Sequence, residues 1–77
     1  MDIDVKVFGQ LTDLTGSAAL RISGVRDTDE LRALLADRYP TLKDQPYAIA
    51  VDKKIVSVNT DLEPGCIVVL MPPFSGG

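Results

Sequence analysis

Residues able to do chemistry are sparse in this chain and gather at one end, where the sequence closes Pro72-Pro73-Phe74-Ser75-Gly76-Gly77. Glycine lacks a Cβ and adopts almost any φ/ψ, so a Gly76-Gly77 ending lets a bare carboxylate thread a narrow protein tunnel. At ordinary glycine usage about one chain in 200 would end this way by chance, and a trimmed linker scar could also leave Ser-Gly-Gly. Neither accounts for glycines that follow a long apolar run and two prolines. The expected reactive group is therefore the terminal carboxylate of Gly77, with Gly76 as its compliant neighbour.

The body of the chain offers little to rival it. Asp61 and Glu63 are two carboxylates in a turn with no histidine or paired acid beside them, which describes solvated loop charges. Cys66 opens an apolar strand; a reactive thiol needs an electropositive, accessible setting, so this one reads as a small buried side chain. Arg32 and Arg38 read as solvated or late-helix charges. Lys53-Lys54 could steer an acidic partner or could simply discourage edge pairing at a hairpin tip. No nucleophile–base set is present, so an autonomous enzyme is disfavoured.

Composition narrows the class. Seventy-seven residues make one domain near the lower limit at which a hydrophobic core suffices alone. The 45% hydrophobic and 25% charged content is ordinary for a globular protein and too apolar for disorder. A single cysteine excludes an internal disulfide, and the lack of histidine removes the commonest metal ligand, so no metal or bound cofactor is expected. The net charge of −3 and the lack of a basic cluster beyond Lys53-Lys54 argue against nucleic acid. No apolar stretch approaches the ~20 residues of a membrane span, and Met1-Asp2-Ile3-Asp4 is no signal peptide. The expectation is a small cytoplasmic domain.

The elements that must position the tail follow from periodicity. Residues 2–8 alternate polar and apolar, placing Ile3, Val5 and Val7 on one strand face and Phe8 on the other. Gln10 to Gly16 form a loop or a single helical turn, and Ala18 to Ser23 a second strand. Asp27 and Glu30 make a capping box before a helix whose Leu31, Leu34 and Leu35 form the buried stripe, ending near Pro40. Tyr47 to Asp52 and Ile55 to Val58 are strands joined by a Lys53-Lys54 turn. Cys66 to Met71 is apolar throughout, which fits a central strand. The order β-β-α-β-β-β predicts an α+β fold of ubiquitin-like β-grasp type, a mixed sheet of four to five strands with one main helix. Residues 1–71 form the domain and residues 72–77 a flexible tail.

One helix covers only one face of a sheet. If Val68 and Leu70 join Val5 and Val7 in the core, then Ile67, Val69 and Met71 point away from the helix, with Phe8 beside them. Exposed apolar patches of this kind mark interfaces. Partial cover by loops, or a register shifted by one residue, would remove the patch.

The ending Val68-Val69-Leu70-Met71-Pro72-Pro73-Phe74-Ser75-Gly76-Gly77 resembles the apolar-Pro-Pro-apolar-small-Gly-Gly ending of the molybdopterin synthase small-subunit (sulfur-carrier) family. Val5-Lys6-Val7-Phe8-Gly9-Gln10, the Leu11-to-Gly16 segment and Glu30-Leu31-Arg32 also fit that family. The resemblance covers the whole chain, with the tail its specific part. Departures are Gly9 where alanine is frequent, Cys66-Ile67 where acidic residues are frequent, and Phe74 where valine is usual.

The resemblance implies a carrier rather than a catalyst. A carboxylate is a poor electrophile, so an E1-like adenylating enzyme would join Gly77 to AMP from ATP. A sulfur donor would then displace AMP and leave a thiocarboxylate. Inside the molybdopterin synthase large subunit that sulfur would be delivered to a cyclic pyranopterin monophosphate, building the dithiolene. Phe8, Ile67, Val69, Met71, Pro72, Pro73, Phe74 and Ser75 would contact the partner. Six extended residues from Pro72 reach about 20 Å, enough to enter a buried pocket. Sulfur carriers for thiamine, cysteine or tRNA thiolation, and ubiquitin-like modifiers, share fold and diglycine. A binding module with an accidental Gly-Gly is the alternative from another class.

Overall fold

Strict polar–apolar alternation makes Asp2–Val7 the first strand, β1, with Ile3, Val5 and Val7 buried and Asp2, Asp4 and Lys6 in water. The computed structural model describes residues 2–72. Within them follow α1 (Leu11–Thr15), β2 (Ala19–Ser23), α2 (Thr28–Arg38), a 3₁₀ turn (Pro40–Asp44), β3 (Ala48–Val51), β4 (Lys54–Val56) and β5 (Ile67–Met71). The strands form one mixed sheet in the order β2-β1-β5-β3-β4. Strands β1 and β5 run parallel, and the other neighbours are antiparallel. The apolar strand β5 is central, as a strand without polar residues must be. This is the ubiquitin-like β-grasp arrangement.

Helix α2 starts where expected. Asp27 has extended backbone, and its Oδ1 accepts from the Glu30 amide at 2.8 Å. The reciprocal half of the expected capping box is shifted by one residue: Glu30 Oε1 accepts from the Arg26 amide at 2.7 Å. Two more orphan donors at this helix end are met from a distant loop. The Asp29 amide donates to Asn59 Oδ1 and the Thr28 amide to the Thr60 carbonyl, both at 2.9 Å, while Thr28 Oγ1 donates to Asn59 Oδ1 and accepts from the Thr60 amide. Asn59-Thr60, legible in sequence only as turn residues, thus tie the connection between β4 and β5 to the helix.

The buried stripe of α2 is Thr28, Leu31 and Leu35. Leu34 flanks it and is half-buried, so the helix phase is as expected but Leu34 is not a fully buried position. Leu31 and Leu35 pack with Ile3, Val5, Val7, Leu11, Ile22, Ile49, Val68 and Leu70 in the core. Truncating a fully buried leucine costs about 2–5 kcal/mol through lost transfer energy and the cavity left behind. We therefore expect Leu35→Ala to lower the urea midpoint by that equivalent at unchanged slope, and Leu34→Ala to lower it less. Equal shifts for the two variants would mean that the stripe is drawn on the wrong side of the helix.

The β3–β4 hairpin differs from expectation by one residue. Val51 pairs with Lys54, so Asp52 and Lys53 form the turn, both at positive φ (49° and 74°). A two-residue turn whose twist matches the flanking strands needs two residues in that region, and aspartate enters it more readily than most. Asp52 is held further by β5: its Oδ1 accepts from the Ile67 amide at 2.9 Å, and its own amide donates to the Ile67 carbonyl at 2.9 Å. Strand β4 accordingly spans Lys54–Val56 and stops short of Val58, and β5 starts at Ile67, not Cys66.

Candidate functional site

Among the described residues no helix lies on the face of the sheet opposite α2. Its composition follows from register. Lys6 lies opposite Ala19 on one side and Val69 on the other, Val69 opposite Ala50, and Ala50 opposite Ile55. One rung away, Ile67 pairs with Asp4, and Met71 with Ala48. The outer face is therefore apolar over β5, β3 and β4, and charged over β1 and β2, where Arg21 Nε donates to Asp4 Oδ1 at 3.3 Å. That ion pair is exposed and contributes little to stability.

The expected contact residues converge here. Phe8 is 53% exposed and Ile67 47%, while Val69 and Met71 are half-buried beside them. The Phe8 amide donates to the Leu70 carbonyl at 2.9 Å, which extends the β1–β5 ladder and sets the phenyl ring on the outer face. Pro72 is half-buried against Gly9 at the same end of β5. The remaining expected site residues, Pro73, Phe74, Ser75, Gly76 and Gly77, lie outside the described residues.

The patch is wider than expected. Ile55, 68% exposed, joins it from β4 beside half-buried Ala48 of β3, while Ala50 on the same face is buried between its neighbours. The signal for Ile55 was present in the sequence. Any two-residue turn between β3 and β4 pairs even positions of one strand with odd positions of the other, so Ile55 shares a face with Ala50. Lys6 was also missed, because a polar residue in an alternating strand reads as solvated.

A shallow groove of about 310 Å³ runs between Lys6, Phe8, Asp52, Lys53, Ile67 and Val69. Its floor is apolar and its rim carries two ammonium groups and one carboxylate. Among the described residues neither Lys6 nor Lys53 forms an ion pair, whereas the Asp52 carboxylate accepts from the Ile67 amide. Lys53 thus belongs to the groove, while Lys54 lies in edge strand β4. Arg32 lies outside this face, its guanidinium 5.2 Å from the centre of the Tyr47 ring.

Cys66 is a core residue. Burial pushes its thiol up from the ordinary range, a hydrogen bond with the Glu63 backbone opposes the shift, and the nearby Asp52 charge adds to it. The neutral thiol is therefore the form present at neutral pH, and it is a poor nucleophile. We expect iodoacetamide to leave Cys66 unmodified in the folded protein and to alkylate it fully in denaturant, as read by intact mass. Rapid labelling of the folded protein would show the site to be open. No group of three or more acidic or cysteine side chains among the described residues could hold a metal ion. No helix among them is long and apolar enough to cross a membrane.

Among the described residues, a five-stranded mixed sheet with one long helix on one face defines a ubiquitin-like β-grasp fold. Residues 5–77 match the ThiS family, and the chain belongs to that family. Three solved structures are similar over essentially their full length. A protein of Pyrococcus furiosus assigned as molybdopterin converting factor subunit 1 is 24% identical (TM-score 0.84, covering 96% of this chain and 99% of that one). A chain in the complex of subunits 1 and 2 of the molybdopterin-converting factor from Helicobacter pylori is 31% identical (TM-score 0.76, 100% of both). SAMP1 from Haloferax volcanii is 19% identical (TM-score 0.79, 100% of both), a likeness of fold alone.

Proposed function

We propose that this chain is the sulfur-carrier subunit of a molybdopterin synthase, loaded as a thiocarboxylate on Gly77. The observation that carries this reading is the uncovered apolar face, Phe8, Ile55, Ile67, Val69 and Met71, with the diglycine segment continuing from the same end of β5. The face offers a docking surface, and the segment supplies reach. The similarity to a chain of the two-subunit Helicobacter pylori complex supports a large subunit as the partner.

The chemistry falls to the partners. A Gly77 carboxylate oxygen attacks the α-phosphorus of ATP on an E1-like adenylating enzyme, releasing pyrophosphate and forming an acyl-adenylate. A sulfide-level donor, HS⁻, attacks the acyl carbon, AMP leaves with the acyl–phosphate bond broken and the S–H proton is lost, so one oxygen of Gly77 is replaced by sulfur. The carrier then docks on the large subunit and presents that sulfur for dithiolene formation. It supplies no acid or base of its own. Tail ordering costs roughly 1–2 kcal/mol per residue, and Pro72 and Pro73 reduce it by restricting the free chain beforehand.

Membership of the ThiS family and the likeness to SAMP1 also accommodate thiamine, cysteine or tRNA thiolation, or protein modification. Intact mass after co-expression with candidate adenylating enzymes separates carrier from binding module. Exchange of one oxygen for sulfur at the C-terminal peptide supports the carrier. Its absence with every enzyme, or an adduct on a side chain, overturns it. Transfer of that sulfur to a pterin acceptor in the presence of the large subunit distinguishes molybdopterin from the other pathways.

A further inference from the structure

Helix α2 and the segment that returns from it to β3 border a cleft of about 330 Å³ on the helix-covered side of the sheet. Ala36, buried Leu42, Pro46 and the Tyr47 ring give it an apolar lining, and Arg32, Lys43 and Gln45 supply its polar groups. Both walls are held by local structure. The Leu42 amide donates to the Tyr39 carbonyl at 2.9 Å and the Gln45 amide to the Leu42 carbonyl at 3.2 Å, which closes the 3₁₀ turn carrying Lys43. Arg32 and Ala36 are four residues apart in α2 and so lie along one helix face. The Arg32 guanidinium sits over the Tyr47 ring, 5.2 Å from its centre, where the ring quadrupole attracts it. A guanidinium placed over a ring still directs its N–H groups outward in its own plane, the geometry that meets the two oxygens of a carboxylate.

Charge points the same way. The chain carries a net charge of −3, yet no acidic side chain lines this cleft. Among the described residues the ion pairs are Arg21–Asp4 and Arg26–Glu30, so Arg32 and Lys43 both lack a carboxylate partner. Asp29, three residues before Arg32, and Asp44, next to Lys43, are close in sequence but pair with neither cation.

We propose that this cleft recognises a glutamate on an exposed acidic segment of a protein partner. Arg32 and Lys43 take the carboxylate, the Gln45 amide adds a donor, and the methylene stem lies on Leu42, Ala36 and the Tyr47 ring. A free phosphate would satisfy the cations and leave the apolar lining wet; a glutamate uses both halves of the cleft. The groove beside Phe8, Ile67 and Val69 lies on the opposite face of the sheet, so a partner held at Arg32 leaves that face uncovered. The inference does not rest on the carrier reading.

The test is a nuclear magnetic resonance titration of the full-length protein at constant ionic strength with three probes. They are the peptide acetyl-Ala-Leu-Glu-Glu-Leu-Ala-amide, its counterpart with glutamine in place of both glutamates, and inorganic phosphate. The glutamate peptide should shift the Arg32 Nε–H, the Gln45 side-chain amide and the Tyr47 ring signals saturably, leaving those of Phe8 and Val69 in place. The glutamine peptide should bind about tenfold more weakly or worse. Arg32→Gln should weaken the glutamate peptide about tenfold, and Lys43→Gln about threefold. Arg32→Lys, which keeps the charge and loses the planar fork, should also weaken it, and Lys54→Gln, outside the cleft, should not. All four positions are exposed, and unchanged thermal unfolding confirms that each variant is folded. Absence of saturation, equal affinity for the two peptides, or an unaltered Arg32→Gln variant overturns the proposal. Phosphate saturating the same signals at lower concentration than the glutamate peptide marks a small-anion site and overturns it as well. No adenylating enzyme or large subunit enters these measurements, so their failure leaves the carrier reading standing, and failure of sulfur loading leaves the cleft untouched.

Discussion

One residue appended after Gly77 should abolish sulfur loading and leave the domain folded. The carboxyl carbon of Gly77 then becomes an amide, which has no anionic oxygen to attack ATP. The new terminal carboxylate lies about 3.3–3.6 Å further along the chain. A displacement of that size exceeds by several fold the ~1 Å that can already cost 10²-fold at a reacting centre. The fold is insulated from the change, because among the described residues the buried cluster closes at Leu70. Intact mass should show no exchange of oxygen for sulfur, with thermal unfolding unchanged. Full loading of the extended protein would show that the terminus is not the reactive group.

The second large effect should come from a charge on the outer face. Phe8→Asp probes it, because Phe8 is more than half exposed in the free protein, although Lys6 and Lys53 line the same groove and offset part of the new charge. Val69→Asp is less discriminating: Lys6 lies opposite it and could neutralise the new carboxylate. On docking, the carboxylate introduced at position 8 would be buried with only partial compensation from Lys6 and Lys53, at the lower end of about 3–5 kcal/mol. Binding to the large subunit should weaken roughly 10²-fold or more in titration calorimetry, with little change in the stability of the free domain. Unchanged affinity would place the docking surface elsewhere, and self-association through the apolar face would then be the explanation to examine by sedimentation.

Both expectations grew from local patterns, and the reason those patterns were legible is physical. Alternation in residues 2–8 assigns faces because strand side chains repeat every two residues, and Asp27 with Glu30 marks a helix start because orphan amides need nearby acceptors. The unbroken run Cys66–Met71 fits a central strand better than an edge, so an apolar face opposite a single helix followed from counting elements. Gly76-Gly77, the seat of the proposed chemistry, is a feature of composition and order alone and needed no fold to be noticed.

Tertiary structure decided what depends on partners distant in sequence. Leu34 and Leu35 are equivalent by spacing, and only the tilt of α2 on the sheet made Leu35 core and Leu34 flank. Asn59 looked like a turn residue until the fold carried it to the helix end, where it serves two donors across about thirty positions. Lys6 and Lys53 became the rim of one groove because β5 lies between β1 and β3, a strand order that no local signal encodes. The meeting of Gly9 with Pro72 belongs to the same kind. The sequence by itself determined which segments become strands, where the helix begins and which end carries the diglycine. The proximity of Gly9 and Pro72, 63 positions apart, was decided by how the elements pack and not by the preferences of either residue.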